Sequence, residues 1–126
     1  MDIGVERLIA DLQAVGFTVE GPVESGKRKW AIVKKYLITA GPFRGRVVDL
    51  AIPAPPDYPA TPPGGIYISP QIARLGHLNV HDRSNETKDL PGEWQYWSRP
   101  AAKWDASKGG KCLQAHWVAI FSNYTE

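Results

Sequence analysis

Three rhythms of apolar and polar positions run along this chain. Near the start Val5, Leu8, Ile9, Leu12 and Val15 recur at helical spacing, with Asp2 placed to cap and Gly16 placed to terminate. The spacing predicts an amphipathic helix over 3–15, packed on a sheet, with Glu6, Arg7 and Asp11 on its outer face. Phe17 to Val23 is short and β-prone, and Glu24-Ser25-Gly26-Lys27 reads as a turn. From Trp30 to Thr39 the period falls to two. Trp30, Ile32, Tyr36 and Ile38 take even positions, with Lys34 as the exception, which predicts a half-buried strand. Gly41-Pro42-Phe43-Arg44-Gly45 predicts a loop. Arg46 to Ile52 predicts the next strand, with Val48, Leu50 and Ile52 on one face, and Ile66 to Ser69 a short fourth one.

Between the last two strands the pattern stops. Six of the eleven prolines lie from Pro53 to Pro63. Proline cannot donate to a sheet ladder or continue a helix, so 53–65 must be a stiff irregular bend. Residues 70–111 hold turns, the rings of Trp94, Tyr96, Trp97 and Trp104, and few apolar aliphatics. They read as a long ordered loop region with one short helical turn, folded onto the core by its aromatics. Trp94, Trp97 and Trp104 could form a partner surface or fill the core. After Gly109-Gly110, Leu113, Trp117, Ile120 and Tyr124 form a helical stripe. A strand through Leu113, Ala115, Trp117, Ala119 and Phe121 fits less well but stays open.

Composition narrows the class. The 126 residues suit one domain with one core, and 43% apolar with 22% charged residues is ordinary for a globular chain. A net charge of +2 without a long basic run gives no reason to expect nucleic acid or a membrane surface. No apolar run is long enough to span a bilayer, and the start MDIGVERL is unlike a signal peptide. The single cysteine cannot form an internal disulfide or a zinc site of the repeated-cysteine kind, which makes the cytoplasm the expected compartment.

In chain order the sequence carries Gly41-Pro42-Phe43-Arg44-Gly45, a strand, Pro55-Pro56-Asp57-Tyr58-Pro59-Ala60-Thr61-Pro62-Pro63, a strand, and His77-Leu78-Asn79. From about Asp2 to Asn79 this order resembles the ubiquitin-conjugating enzyme (UBC-like) superfamily. The resemblance implies an α+β fold in a single domain over 1–126: an N-terminal helix packed on a four-stranded antiparallel meander, a long loop region and a short C-terminal helix. It implies an enzyme that takes the C-terminus of a ubiquitin-like protein from an activating enzyme, as a cysteine thioester, and passes it to an amine of a protein substrate, with no cofactor. Three features depart from the family's pattern. Leu78 replaces its usual proline, Cys112 lies far beyond Asn79, and the usual C-terminal helices are truncated. In this the chain is more like the divergent prokaryotic members. Those stand beside ubiquitin-like proteins, activating enzymes and JAB-type peptidases in bacterial operons, a context that points to antiviral defence. Some carry a histidine shortly after the cysteine, where this chain has His116.

The chemistry of such a transfer sorts the candidates. It needs a thiolate, a donor for the oxyanion and a group that handles the attacking nucleophile. Cys112 is the residue able to form the thioester. If a helix starts at Gly109-Gly110, Cys112 lies near its N-terminus, where the dipole, Lys108 and Lys111 favour a thiolate. His116, four residues on, would share that helix face and could act as a base. Asn79 is the candidate oxyanion donor or a turn cap, and His77 the less favoured site member, better suited to bonding the loop backbone. Tyr58 is expected to pack against the bend and bond backbone through its hydroxyl. His77, His81 and Asp82 could suit a metal, but no third ligand region is evident, so no metal is expected. Two other readings remain: an inactive UBC-like module that only binds a ubiquitin-like protein or partner, and an unrelated cysteine–histidine hydrolase that would leave the proline bend unexplained.

Overall fold

A computed structural model describes residues 3–25, 28–73, 80–81, 90, 93–98 and 104–124. Helix α1 (Val5–Ala14) is followed by strands β1 (Thr18–Ser25), β2 (Arg28–Leu37), β3 (Val47–Pro53) and β4 (Ile66–Ser69). Two short strands, β5 (Val80–His81) and β6 (Gln95–Trp97), precede a 3₁₀ turn (Ala106–Lys108) and helix α2 (Gly109–Ser122). The sheet order is β1-β2-β3-β4-β6-β5, and every neighbouring pair is antiparallel. The α+β arrangement is the expected one, and β1 to β4 form the expected meander. The long loop region also contributes β6 and β5, which extend the sheet beyond β4. Three-residue β6 is too short for its alternation to show in sequence, and its pairing with Ile66–Ile68 is what makes it a strand.

Both faces of the sheet are covered, which is why β2, β3 and β4 are apolar runs and not clean alternations. On one face Ala31, Val33, Leu50, Ile52, Ile66 and Ile68 pack under the two helices. Val5, Leu8 and Leu12 are the buried stripe of α1, and Leu113, Trp117, Ile120 and Phe121 that of α2. The helical reading of the C-terminal segment therefore holds. On the other face Trp30, Ile32, Ala51 and Tyr67 are covered by Leu90 and Trp94.

One expected face is split. Trp30 and Ile32 lie on the Trp94 side, whereas Tyr36 and Ile38 lie under the helices. The register shifts between Val33 and Tyr36, where Lys35 has a positive φ of 56°. An extra bulge residue reverses the inward set. Asp49 holds the bulge with both oxygens: Lys34 Nζ donates to one at 2.8 Å and the Lys35 N–H to the other at 3.0 Å. The Asp49 carboxylate raises the Lys34 pKa above its ordinary value, chiefly through that hydrogen bond.

Gln95 is fully buried and serves as a bonding hub. Its Oε1 accepts from the Ile72 and Ala73 N–H groups and Trp97 Nε1, and its Nε2 donates to the Ala73 carbonyl. A buried amide needs such partners, since leaving it unpaired costs about 1–3 kcal/mol per group. Trp94 and Trp97 are buried, so they fill core and do not form a partner surface.

The 41–45 loop inserts Phe43 against Trp97 and Tyr124, at ring distances of 6.1 and 5.0 Å. Gly41, at φ +85°, lies directly on the Phe121 backbone, and Gly45, at φ +90°, has open space where a Cβ would go. Alanine at either position loses about 1 kcal/mol to backbone strain. At Gly41 it also drives a Cβ into α2, for roughly 3 kcal/mol in all. Urea unfolding of Gly41→Ala and Gly45→Ala should show that difference, and equal losses would contradict the close approach.

Candidate functional site

The proline bend delivers one residue to the centre of the molecule. Tyr58 is fully buried, and the Tyr58–Pro59 peptide bond is cis. Its N–H donates to the Pro55 carbonyl at 3.0 Å, and its carbonyl accepts from the Gly4 N–H at 2.9 Å. Its hydroxyl donates to Asp11 Oδ2 at 2.7 Å. That corrects the expected backbone partner: the main chain of Tyr58 bonds backbone, while the hydroxyl reaches a carboxylate on α1. The other Asp11 oxygen accepts from Arg7 Nε at 2.8 Å, one helical turn away. Arg7 and Asp11 are therefore partly covered and turned toward the bend, not outward as their spacing suggested. Trp104 covers the other side, with its ring 5.8 Å from that of Tyr58 and its Nε1 donating to the Pro59 carbonyl at 2.7 Å.

Helix α2 begins on this platform. Gly109 and Gly110 are buried. A Cβ on Gly109 would collide with the Tyr58 hydroxyl and come within 2.6 Å of Asp11 Oδ2, and one on Gly110 would collide with the Asp11 carbonyl. The glycine pair is thus a contact requirement as well as a chain break: without side chains the α2 backbone can lie on α1. No side chain caps α2 at Lys108, and no acidic residue stands in its first turn. Asp105 instead caps the preceding 3₁₀ turn, accepting from the Ser107 N–H at 3.0 Å and Ser107 Oγ at 2.6 Å. Those bonds hold the Asp105 carboxyl below its usual range.

Cys112 follows in the first turn of α2, partly exposed. Its Sγ makes a long, weak contact to the Asp105 carbonyl oxygen at 3.9 Å. His116 lies one turn further along α2 and is also partly exposed, so the two candidates share the expected helix. His77 and Asn79 lie outside the described residues, as does Asp82. Among the described residues no group of three or more His, Cys, Asp or Glu is arranged to hold a metal ion. A cavity of about 590 Å³ opens elsewhere, where Ile3–Glu6 at the start of α1 face Arg28, Lys29 and Pro53–Pro56, and Cys112 does not line it.

The electrostatics link the bend to the cysteine. The Tyr58 hydroxyl is raised well above the ordinary 10.0, first by burial, then by its hydrogen bond to the Asp11 carboxylate and that group's charge. A negative charge on Cys112 would push in the same direction. Sequence reasoning did not bring Arg7, Asp11 and Tyr58 together. The i, i+4 spacing of Arg7 and Asp11 was a signal for their pairing. Nothing local marked Asp11 as the neighbour of a residue 47 positions away.

An N-terminal helix on an antiparallel meander, with a tyrosine-proline bend and a short C-terminal helix, is consistent with a UBC-like, E2-type fold. The sequence pattern of prokaryotic E2 family E matches residues 9–122, and the chain belongs to that family. No curated protein and no solved structure matched it. Among the described residues no helix is long and apolar enough to cross a membrane.

Because folded Tyr58 holds its proton more tightly than unfolded Tyr58, its share of stability is complete below pH 10.0 and is lost as pH rises toward the folded value. Tyr58→Phe should lower neutral-pH stability by about 1.5–3 kcal/mol, the worth of one bond to a charged acceptor. It should also flatten the alkaline loss, leaving the part owed to Tyr36 and Lys34. Urea titrations at neutral and alkaline pH would test this. An undiminished alkaline slope would refute it.

Proposed function

We propose that this chain is a conjugating enzyme that carries the C-terminal acyl group of a ubiquitin-like protein on Cys112. The observation that carries the reading is the setting of the chain's sole cysteine: partly exposed, in the first turn of a helix that starts on a glycine pair seated on the proline bend. Membership of an E2 family supplies the reaction class. In the first step the Cys112 thiolate attacks the acyl carbon of the C-terminus carried by the activating enzyme. A C–S bond to Cys112 forms, the acyl bond to the activating enzyme's carrier group breaks, and that group leaves with the electron pair. In the second step an amine of a protein substrate attacks the thioester. A C–N bond forms, the C–S bond breaks and the thiol is restored.

His116 takes the proton in this scheme, either from the thiol or from the incoming amine. Asn79 donates to the tetrahedral oxyanion, and His77 is the less favoured member of the site. The helix N-terminus with Lys108 and Lys111 favours the thiolate. In this reading the protein works in the cytoplasm, the compartment that a lone cysteine suggests, with an activating enzyme, a ubiquitin-like protein and a substrate protein as partners. A bacterial role in antiviral defence follows from the family's operon context alone.

The protein, its activating enzyme, ATP and the ubiquitin-like partner should together yield a thiol-sensitive adduct that Cys112→Ala abolishes. An undiminished adduct on Cys112→Ala would sink the proposal. His116→Ala should lower transfer to amine by about tenfold to a hundredfold while charging persists, in line with loss of a general base. Full transfer activity would remove His116 from the mechanism. A second reading, a module that binds a ubiquitin-like protein without charging, is favoured by the thiol's contact with the Asp105 carbonyl and its partial burial. Slow labelling of native Cys112 by iodoacetamide together with no adduct would select it.

A further inference from the structure

We propose that Arg7, Asp11 and Tyr58 form a charge-balanced seat that positions Cys112 and sets its nucleophilicity through the Gly109-Gly110 start of α2. The seat's role in acyl transfer rests on reading Cys112 as the acyl carrier, while its effect on the thiol does not. These three are positioning residues, acting on the cysteine through the helix that bears it.

The geometry supplies the first reason. Both Asp11 oxygens are engaged, one by Tyr58 at 2.7 Å and the other by Arg7 at 2.8 Å. A carboxylate tied at both oxygens is fixed in place. Tyr58 is fully buried and Asp11 is mostly covered, with 16% of its side chain exposed. Gly109 lies against the hydroxyl and the carboxylate together, and Gly110 against the Asp11 main chain. The start of α2, and with it Cys112, is therefore set by these atoms.

Charge supplies the second. The N-terminal end of a helix carries partial positive charge and stabilises a nearby anion. Helix α2 has no acidic residue in its first turn, so the carboxylate pressed on this end comes from α1. The charged and titratable groups at this end of α2 are then Lys108, Lys111, Cys112 and His116 on its own segment, Asp105 of the 3₁₀ turn, Asp11 of α1 with its partner Arg7, and Tyr58 of the bend. Asp11 opposes a thiolate, and Arg7 offsets Asp11. The Tyr58 hydroxyl takes up part of the carboxylate's charge by donating to it. An uncharged seat of the same shape would hold α2 equally well. A charged one also sets how readily the thiol ionises, and the two members of the ion pair must push in opposite directions.

That opposition is the test. The alkylation rate of Cys112 by iodoacetamide would be followed by mass spectrometry on the whole chain between about pH 6 and pH 10, a range that brackets a free thiol. Asp11→Asn keeps the shape and an acceptor for Tyr58 but removes the charge, so the midpoint should fall. Arg7→Gln leaves Asp11 unbalanced, so the midpoint should rise. Each change should be about half a pH unit, roughly threefold in thiolate fraction below the midpoint. Tyr58→Phe should also raise it, and Arg7→Lys should return it to the wild-type value. If Asp11→Asn does not fold, the Arg7→Gln and Arg7→Lys pair decides the matter. Midpoints that stay together, or that all move the same way, would overturn the seat. Alkylation needs no partner protein, so the two proposals fail separately. Opposed midpoints without any thioester adduct would leave the seat and remove the acyl-transfer reading. An adduct with unmoved midpoints would do the reverse.

Discussion

The hydrogen bond from the Tyr58 hydroxyl to the Asp11 carboxylate ties three separate parts of this chain together. It joins the proline bend to α1 at 2.7 Å, and α2 starts directly above it on two glycines. A buried hydroxyl without a partner is strongly disfavoured, so a bulky aromatic at this point needs an acceptor. A largely covered carboxylate needs donors for the same reason, and Arg7 supplies the second. Once those demands are met, the bend can no longer slide along α1. The meander, the helix on it and the helix bearing the cysteine then share one frame.

The rest of the packing follows from covering the sheet twice. Helices close one face, and Leu90 and Trp94 close the other. A long segment that read as loop consequently contributes two sheet strands, a buried tryptophan on each face and a satisfied glutamine hub. Its backbone groups had to be paired somewhere once it lay on the core, and β6 pairs them with β4. This second layer leaves few apolar residues for recognition on that face among the described residues.

Legibility differed from element to element for physical reasons. The helix over 3–15 was plain because burial on one side imposes a period, the C-terminal helix less so because its apolar positions also fit a strand, and the meander strands showed as apolar runs between turn residues. The phase of β2 was hidden, because the bulge at Lys34-Lys35 inserts a residue and depends on Asp49 from another strand. The bend was visible as a run of prolines, while the partner of Tyr58 was not. Cys112 stood out by being the sole thiol, and its place in the first turn of α2 could be inferred from the glycine pair. The glycines themselves were legible only as a break in the chain. Their closeness to Asp11 belongs to the tertiary structure.

The sequence by itself determined the class of fold, the family and the residue on which the proposed chemistry turns. The helices, the meander and the candidate residue follow from local rules: periodicity, the conformational limits of proline and glycine, and the reactivity of one thiol; the family follows from the order of its motifs and the family pattern that matches residues 9–122. Only the tertiary structure decided what surrounds that thiol. Arg7 and Asp11 read as ordinary surface charges on a helix, and Tyr58 as a ring in a bend. Chain folding brought them under α2, because a buried hydroxyl, a carboxylate and a helix end must satisfy one another once water has been excluded.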